Sequence, residues 1–231
     1  MTFAGQLKSD LAASRPLRVV NIDYSNAGLV EFLGKTCADV IFIDCEQGDT
    51  SVESIENLAR AAHVAGVPAI VRTGSPDAAV IERTLLRGVD GIVLPRLKTS
   101  AEARKAVAAV HYCMSGQRPD FAVIVQVEDI AAVQTLDEFL SVEGIDCFFV
   151  GPVDLSKSMG FGGTWTRTEV RDVVEQTLSR IIAAGRAAGM LASPDTIGEL
   201  HRLGVSFLYL HTNDFIRLGT DEIAARCMQI D

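Results

Sequence analysis

No apolar run in the chain reaches the roughly 18 residues that a membrane-spanning helix needs. A membrane partner is therefore not expected. Residues 1–15 mix Gln6, Lys8 and Asp10 with apolar side chains and lack the basic start and long apolar stretch of a secretory signal. They read instead as a short amphipathic helix. Clustered lysine and arginine are also missing. The 231 residues carry 21 Lys and Arg against 30 Asp and Glu, a formal net charge of −9. Phosphate backbones are bound by grouped cations, so no nucleic-acid partner is expected. The five cysteines, Cys37, Cys45, Cys113, Cys147 and Cys227, are scattered and form no CxxC pair. A reducing, cytoplasmic setting is the simplest expectation. No linker, low-complexity tract or short repeat divides the chain, which reads as one domain over residues 1–231.

What is present is alternation. Short apolar runs at residues 19–22, 40–43, 69–71, 91–94, 122–127, 147–150, 190–192 and 207–210 are separated by helical patterns. Those patterns cover 26–35, 52–65, 78–87, 101–112, 131–140, 168–188 and 197–203, with a last one running through Ala224. The runs are almost wholly apolar, as parallel strands buried on both faces should be. Eight strand–helix units predict an α/β fold with right-handed crossovers, closed into a (β/α)8 TIM barrel. The N-terminal helix would cover its bottom. The glycine-rich fingerprint of a dinucleotide-binding sheet does not follow the first run.

A barrel of this kind places its chemistry at the C-terminal ends of the strands. There the apolar runs give way to polar residues: Asp44-Cys45-Glu46-Gln47 after the second, Arg72 after the third, Pro95-Arg96 after the fourth, Gln126 and Glu128 at the fifth, Gly151-Pro152-Val153-Asp154 after the sixth and His211 after the eighth. Glu128 and Asp154 lie on adjacent strands and can converge on one hard cation, with Mg2+ the best fit and Mn2+ or Co2+ also suitable. Each could equally cap the helix that follows. Strand alternation turns Gln126 to the same interior face as Glu128. Arg72 ends an apolar strand, where a guanidinium needs an anion. That anion is either Asp44 or Glu46 in a structural pair, or a substrate carboxylate or enolate held by both nitrogens. His211 could act as a base, although a lone histidine is more often structural. His63, His111 and His201 fall on helical patterns and read as ordinary, and Cys45 reads as an inert buried thiol.

The segments Phe42-Ile43-Asp44-Cys45-Glu46, Ile70-Val71-Arg72, Gly91-Ile92-Val93-Leu94-Pro95, Val125-Gln126-Val127-Glu128 and Phe149-Val150-Gly151-Pro152-Val153-Asp154-Leu155-Ser156, the last followed by Met159-Gly160, resemble the HpcH/HpaI aldolases. The resemblance runs from the first strand to the eighth. It implies a divalent-metal-dependent carbon–carbon lyase acting through the enolate of a small-molecule 2-keto acid. By resemblance Glu128 and Asp154 hold the metal. Arg72 contacts the pyruvate or enolate oxygens, Gln126 lies beside them, and the backbone of Gly151, Pro152, Val153 and Asp154 receives the carboxylate. Asp44 and Gln47 stand with Arg72 in the catalytic positions. Members are commonly homo-oligomers whose last helix packs on a neighbour, and here that helix reads as short.

Two departures matter. Where the family has Asp-x-Glu-His, this chain has Asp44-Cys45-Glu46-Gln47, and a neutral amide cannot exchange a proton near neutral pH. The long segment before the fifth strand is also shortened to Ser115-Gly116-Gln117-Arg118-Pro119, with Arg118 alone in place of its Gly-x-Arg-Gly element. Asp44, Glu46, His211 or a metal-bound water is then left to move the proton. A related decarboxylase or condensing enzyme, or a catalytically silent metal and keto-acid binder, are the competing expectations.

Overall fold

The computed structural model describes residues 2–114 and 120–228. Eight strands, β1 Leu17–Asn21, β2 Val40–Asp44, β3 Ala69–Arg72, β4 Gly91–Leu94, β5 Ala122–Val127, β6 Cys147–Val150, β7 Ala187–Leu191 and β8 Phe207–His211, form one closed parallel barrel in chain order. The helices are α1 Phe3–Ala12, α2 Ala27–Thr36, α3 Ile55–Ala65 after a 3-10 turn at Val52–Ser54, α4 Ala78–Leu85 and α5 Ser100–Met114. They continue with α6 Ile130–Gln134, α7 Leu136–Leu140, α8 Pro152–Ser158, α9 Thr168–Ala183, α10 Ile197–Leu203 and α11 Thr212–Cys227. None is long and apolar enough to cross a membrane among the described residues.

Strand pleating sorts the side chains into two cores. Outward residues such as Ile41, Val71, Ile92, Val125 and Phe148 pack against the helical layer. Inward residues Val19, Phe42, Ile70, Val93, Ile124, Phe149 and Phe207 fill the barrel. Leu7 and Leu11 of α1 join this inner cluster and close its lower end, as the amphipathic reading of the N-terminus expects. The Thr2 side chain starts α1 by accepting the Gly5 N–H at 3.0 Å, satisfying one first-turn amide.

Several boundaries differ from the sequence pattern. β7 begins at Ala187, within the stretch read as helix to 188, and α9 stops at Ala183. Alanine favours helix intrinsically, but pairing with β6 and β8 overrides it here. Small residues suit this strand because aromatic rings from its neighbours fill the space. A Cβ on Gly189 would lie 2.8 Å from the Phe207 ring, and Phe149 and Phe207 pack in a tilted pair with centroids 5.5 Å apart. The 131–140 pattern is two short helices separated at Thr135, and α8, which lies outside the helical patterns of the sequence, is a helix with Pro152 in its first turn. The last helix is not short. α11 runs for 16 residues, yet Thr212 is its one buried residue, and Ile216, Leu218 and Ile223 are exposed. The shortened junction at 115–119, with Arg118, lies outside the described residues.

Candidate active site

Parity decides which strand-end side chains meet. Asn21, Asp44, Arg72, Gln126 and His211 occupy inward positions at the barrel's upper rim, with Asp44 in register with Arg72 and Asn21 with His211. They open on a cavity of about 330 Å3, which Asp154, Val153, Pro152, Gly151, Gln47 and Tyr209 also line. A larger cleft, about 720 Å3, lies at the opposite end beside α1. Its cations are already paired, Arg15 with Asp10, Arg18 with Asp39 and Lys35 with Glu31, and it holds none of the strand-end carboxylates.

The pairing of Arg72 is settled. Its Nε and Nη2 donate to Asp44 at 2.9 and 2.5 Å, and its Nε lies 3.1 Å from Glu46. Burial works against charge on Asp44, but the two Arg72 bonds and its positive charge prevail and hold the carboxyl below its ordinary value. The Glu46 and Gln47 amides donate to the same carboxylate, at 3.0 and 3.2 Å. Arg72 is therefore anchored by protein anions and still lines the cavity, so the structural pairing leaves room for a substrate role.

Glu128 is held by two donors. The Arg96 main-chain N–H reaches one oxygen at 2.6 Å and Gln126 Nε2 reaches the other at 2.7 Å. To aim that amide, Arg96 takes a left-handed backbone, φ 60°, while its Nε donates to Glu46 at 2.7 Å. Burial, and then the nearby charges of Glu46 and Asp154, push the Glu128 carboxyl up to about 7, although the Arg96 amide acts the other way. Gly151 makes this packing possible, since a Cβ there would lie 3.0 Å from the Glu128 Oε2. Asp154 is more open. Its oxygens accept from Lys157 at 2.7 Å and from Gln47 at 3.2 Å.

These residues fit a hard divalent cation. Glu128 is crowded by two like charges, Gln126 Oε1 is buried without a partner, and all the donors are oxygens. Only two carboxylates would serve, so water and substrate must complete the shell. Among the described residues no group of three or more His, Cys, Asp or Glu is arranged around a metal. Glu128 is also absent from the cavity wall and lies behind Gly151 and Gln126.

Other expectations sort as follows. Of the four residues at 151–154, Gly151 spends its amide on the Val127 carbonyl at 3.0 Å and Pro152 has none. The first-turn amides of Val153 and Asp154 remain for an anion. Cys45 is inert, because burial first, then Asp44 and Glu53, raise its thiol to about 12. His63 is tied to Asp90 at 2.6 Å and stacks on Phe3. Sequence reasoning missed Asn21, Asp23 and Tyr209. Asn21 and Tyr209 are polar residues inside apolar runs and carry the parity of His211, and that was the available signal. Asp23 follows β1 in a left-handed backbone, φ 49°, and contacts His211 at 2.7 Å.

Fold and rim together define a (β/α)8-barrel enzyme whose upper mouth combines buried carboxylates with a fixed guanidinium. The chain belongs to the HpcH/HpaI aldolase/citrate lyase family, whose model matches residues 19–213, and as such it is a carbon–carbon lyase. It is 30% identical over 227 residues to the hydroxypyruvate/pyruvate aldolase of Agrobacterium fabrum, covering 88% of this chain and 85% of that one. It is equally 30% identical over 246 residues to the 4-hydroxy-2-oxo-heptane-1,7-dioate aldolase of Salmonella dublin, covering 95% and 93%. The crystal structure of a family protein from Burkholderia cenocepacia J2315 shares the fold with a TM-score of 0.86 at 23% identity, over 97% of this chain and 99% of that one.

Proposed function

We propose that the protein is a divalent-metal-dependent aldolase that forms the enolate of a pyruvate-like 2-keto acid. The observation that carries this reading is the convergence of Arg72, Gln126 and Asp154 on one cavity, with Glu128 directly behind it. Glu128 and Asp154 would hold the cation, with Mg2+ preferred and Mn2+ or Co2+ as alternatives. A cation there would supply positive charge to the keto oxygen and so acidify the C3 protons.

The chain's own residues do the rest. Arg72, fixed by Asp44 and Glu46, presents positive charge where the substrate becomes negative and loses nothing in reorientation. Gln126 donates to Glu128 with its nitrogen, while its oxygen is buried without a partner. The Val153 and Asp154 amides receive the substrate carboxylate at the start of α8. Gln47 donates to Asp154 and positions that ligand, a donor role that needs no proton exchange.

Pyruvate in deuterated buffer tests the reading. Purified protein with Mg2+, Mn2+ or Co2+ is expected to exchange the C3 protons, observed by proton NMR, and to stop when the metal is chelated. Absence of exchange with all three metals sinks the enolate reading.

The same reading includes a cytoplasmic homo-oligomer. Sixteen residues of α11 bury a single side chain and leave Ile216, Leu218 and Ile223 in solvent, which favours cover by a second copy. Sedimentation is expected to give a species larger than one chain, and Ile223→Glu with Leu218→Glu to shift it toward the monomer. A monomeric wild-type protein at micromolar concentration would remove this part.

A further inference from the structure

We propose that His211, oriented by Asp23, is the proton-transfer group of this site. The inference rests on the enolate reading and supplies the step that Gln47 cannot perform.

The two residues form a built pair. Asp23 Oδ1 lies 2.7 Å from His211 Nδ1 and also accepts the Asn21 amide at 2.9 Å, while its Oδ2 accepts the Asn213 N–H at 2.9 Å. Three donors thus fix the carboxylate, which sits in a left-handed backbone that aspartate tolerates better than most residues. A loop residue held this firmly in a sparsely used conformation is a mark of a positioned functional group. The neighbouring turn is pinned as well, since the Tyr24 hydroxyl donates to Asn213 at 2.8 Å and the Thr212 hydroxyl to the Asn21 carbonyl at 2.7 Å.

A carboxylate on Nδ1 keeps the proton on that nitrogen and leaves Nε2 as the acceptor. Among the described residues no group hydrogen-bonds Nε2. The ring is 38% exposed, stands edge-on to Tyr209 with centroids 5.0 Å apart, and lines the cavity that Arg72, Gln126 and Asp154 also line. Asp44 is a poor proton acceptor, because Arg72 and the Glu46 and Gln47 main-chain amides occupy its oxygens and hold its carboxyl below the ordinary value. Cys45 stays protonated. The charged and titratable groups facing His211 are therefore Asp23 from the loop after β1, Tyr209 from β8, and, across the cavity, Asp44 of β2 paired with Arg72 of β3, Asp49 of the loop after β2, and Asp154 of α8 paired with Lys157.

The step balances without a further reactant. His211 Nε2 takes the proton of the substrate's C4 hydroxyl. The C3–C4 bond breaks, C4 departs as an aldehyde or ketone carbonyl, and the bonding pair stays with the keto-acid unit as its enolate. The imidazolium, stabilised by Asp23, then returns the proton to C3. Run on pyruvate alone, the same base removes and returns a C3 proton.

The test compares wild type with His211→Gln, which can donate to Asp23 but cannot carry the proton, and with Asp23→Asn. Metal-dependent C3 exchange of pyruvate is followed by NMR across pH, and pyruvate binding by calorimetry with Mg2+ or Mn2+ present. His211→Gln is expected to lower the exchange rate by about 10²–10⁴-fold with pyruvate binding retained. At saturating metal, which removes the contribution of Glu128 ionisation, the wild-type rate is expected to fall on the acid side, and that remaining limb to vanish in His211→Gln and to move in Asp23→Asn. Exchange by His211→Gln at the wild-type rate overturns the inference and leaves the enolate reading standing. No exchange by wild type overturns both. Should His211→Gln lose binding, His211→Ala with added imidazole decides: recovered exchange supports the assignment, and no recovery overturns it.

Discussion

Replacing Arg72 with alanine is expected to abolish turnover and to destabilise the barrel at once. Arg72 is 8% exposed in its side chain and neutralises two buried carboxylates, Asp44 and Glu46. Removing one partner of a buried pair leaves an uncompensated charge and costs about 3–5 kcal/mol. The pH dependence has a definite sign. Asp44 titrates below its ordinary value in the folded protein, so its pairing stabilises above the unfolded pKa and is lost as pH falls through the folded one. Without Arg72 the burial that opposes ionisation dominates instead. The deficit of Arg72→Ala, measured from urea midpoints, should then be largest near pH 7 and shrink toward pH 4. Equal midpoints for variant and wild type at pH 7 would show that the pair carries little stability. Arg72→Lys retains charge but not the two-pronged geometry, and should fall between the two in both stability and rate.

Glu128→Gln should act in the opposite direction on stability. The Glu128 carboxyl is raised from an ordinary 4.5 to about 7 by burial and by Glu46 and Asp154. A raised acid favours folding below its unfolded pKa, and that contribution is lost as pH climbs through the folded value. The metal-free wild type should therefore weaken between about pH 4.5 and 7 at this residue. The glutamine variant escapes that loss and should be about 2–3 kcal/mol more stable than metal-free wild type at pH 8. It should also lose most of its affinity for Mn2+. Mn2+ binding to wild type at pH 6 should release a proton, because the carboxylate must ionise to coordinate. Calorimetry in buffers of different ionisation heat reads that proton directly. A variant that binds Mn2+ as tightly as wild type removes Glu128 from the proposed metal site.

Much of this was legible in the sequence because the fold imposes a strict period. A parallel barrel buries both faces of each strand, so β2 through β6 stand out as apolar runs that end in chemistry. Asp44, Arg72, Gln126 and Glu128 were visible as interruptions of those runs. β7 was misplaced because its small residues answer to the rings of Phe149 and Phe207, which come from other strands. Asn21 and Tyr209 were passed over because each stands inside an apolar run. The Asp23–His211 pair joins residues 188 apart in sequence and depends on closure of β8 onto β1. No local pattern encodes that contact. The sequence also could not show that Gln47 binds Asp154, or that Glu128 lies behind the cavity wall, since both depend on how loops settle above the strands.

Glu128 takes its orientation from the main chain at position 96, not from the arginine side chain. Every residue type except proline carries that N–H. Mutation there can therefore exchange the group that reaches Glu46 and leave the grip on Glu128 in place. The left-handed backbone restricts the choice by degree, with about 1–2 kcal/mol against most side chains and little against glycine. The charge of the rim and the aim of the buried carboxylate are thus inherited separately, and a lineage can drift in the first without forfeiting the second.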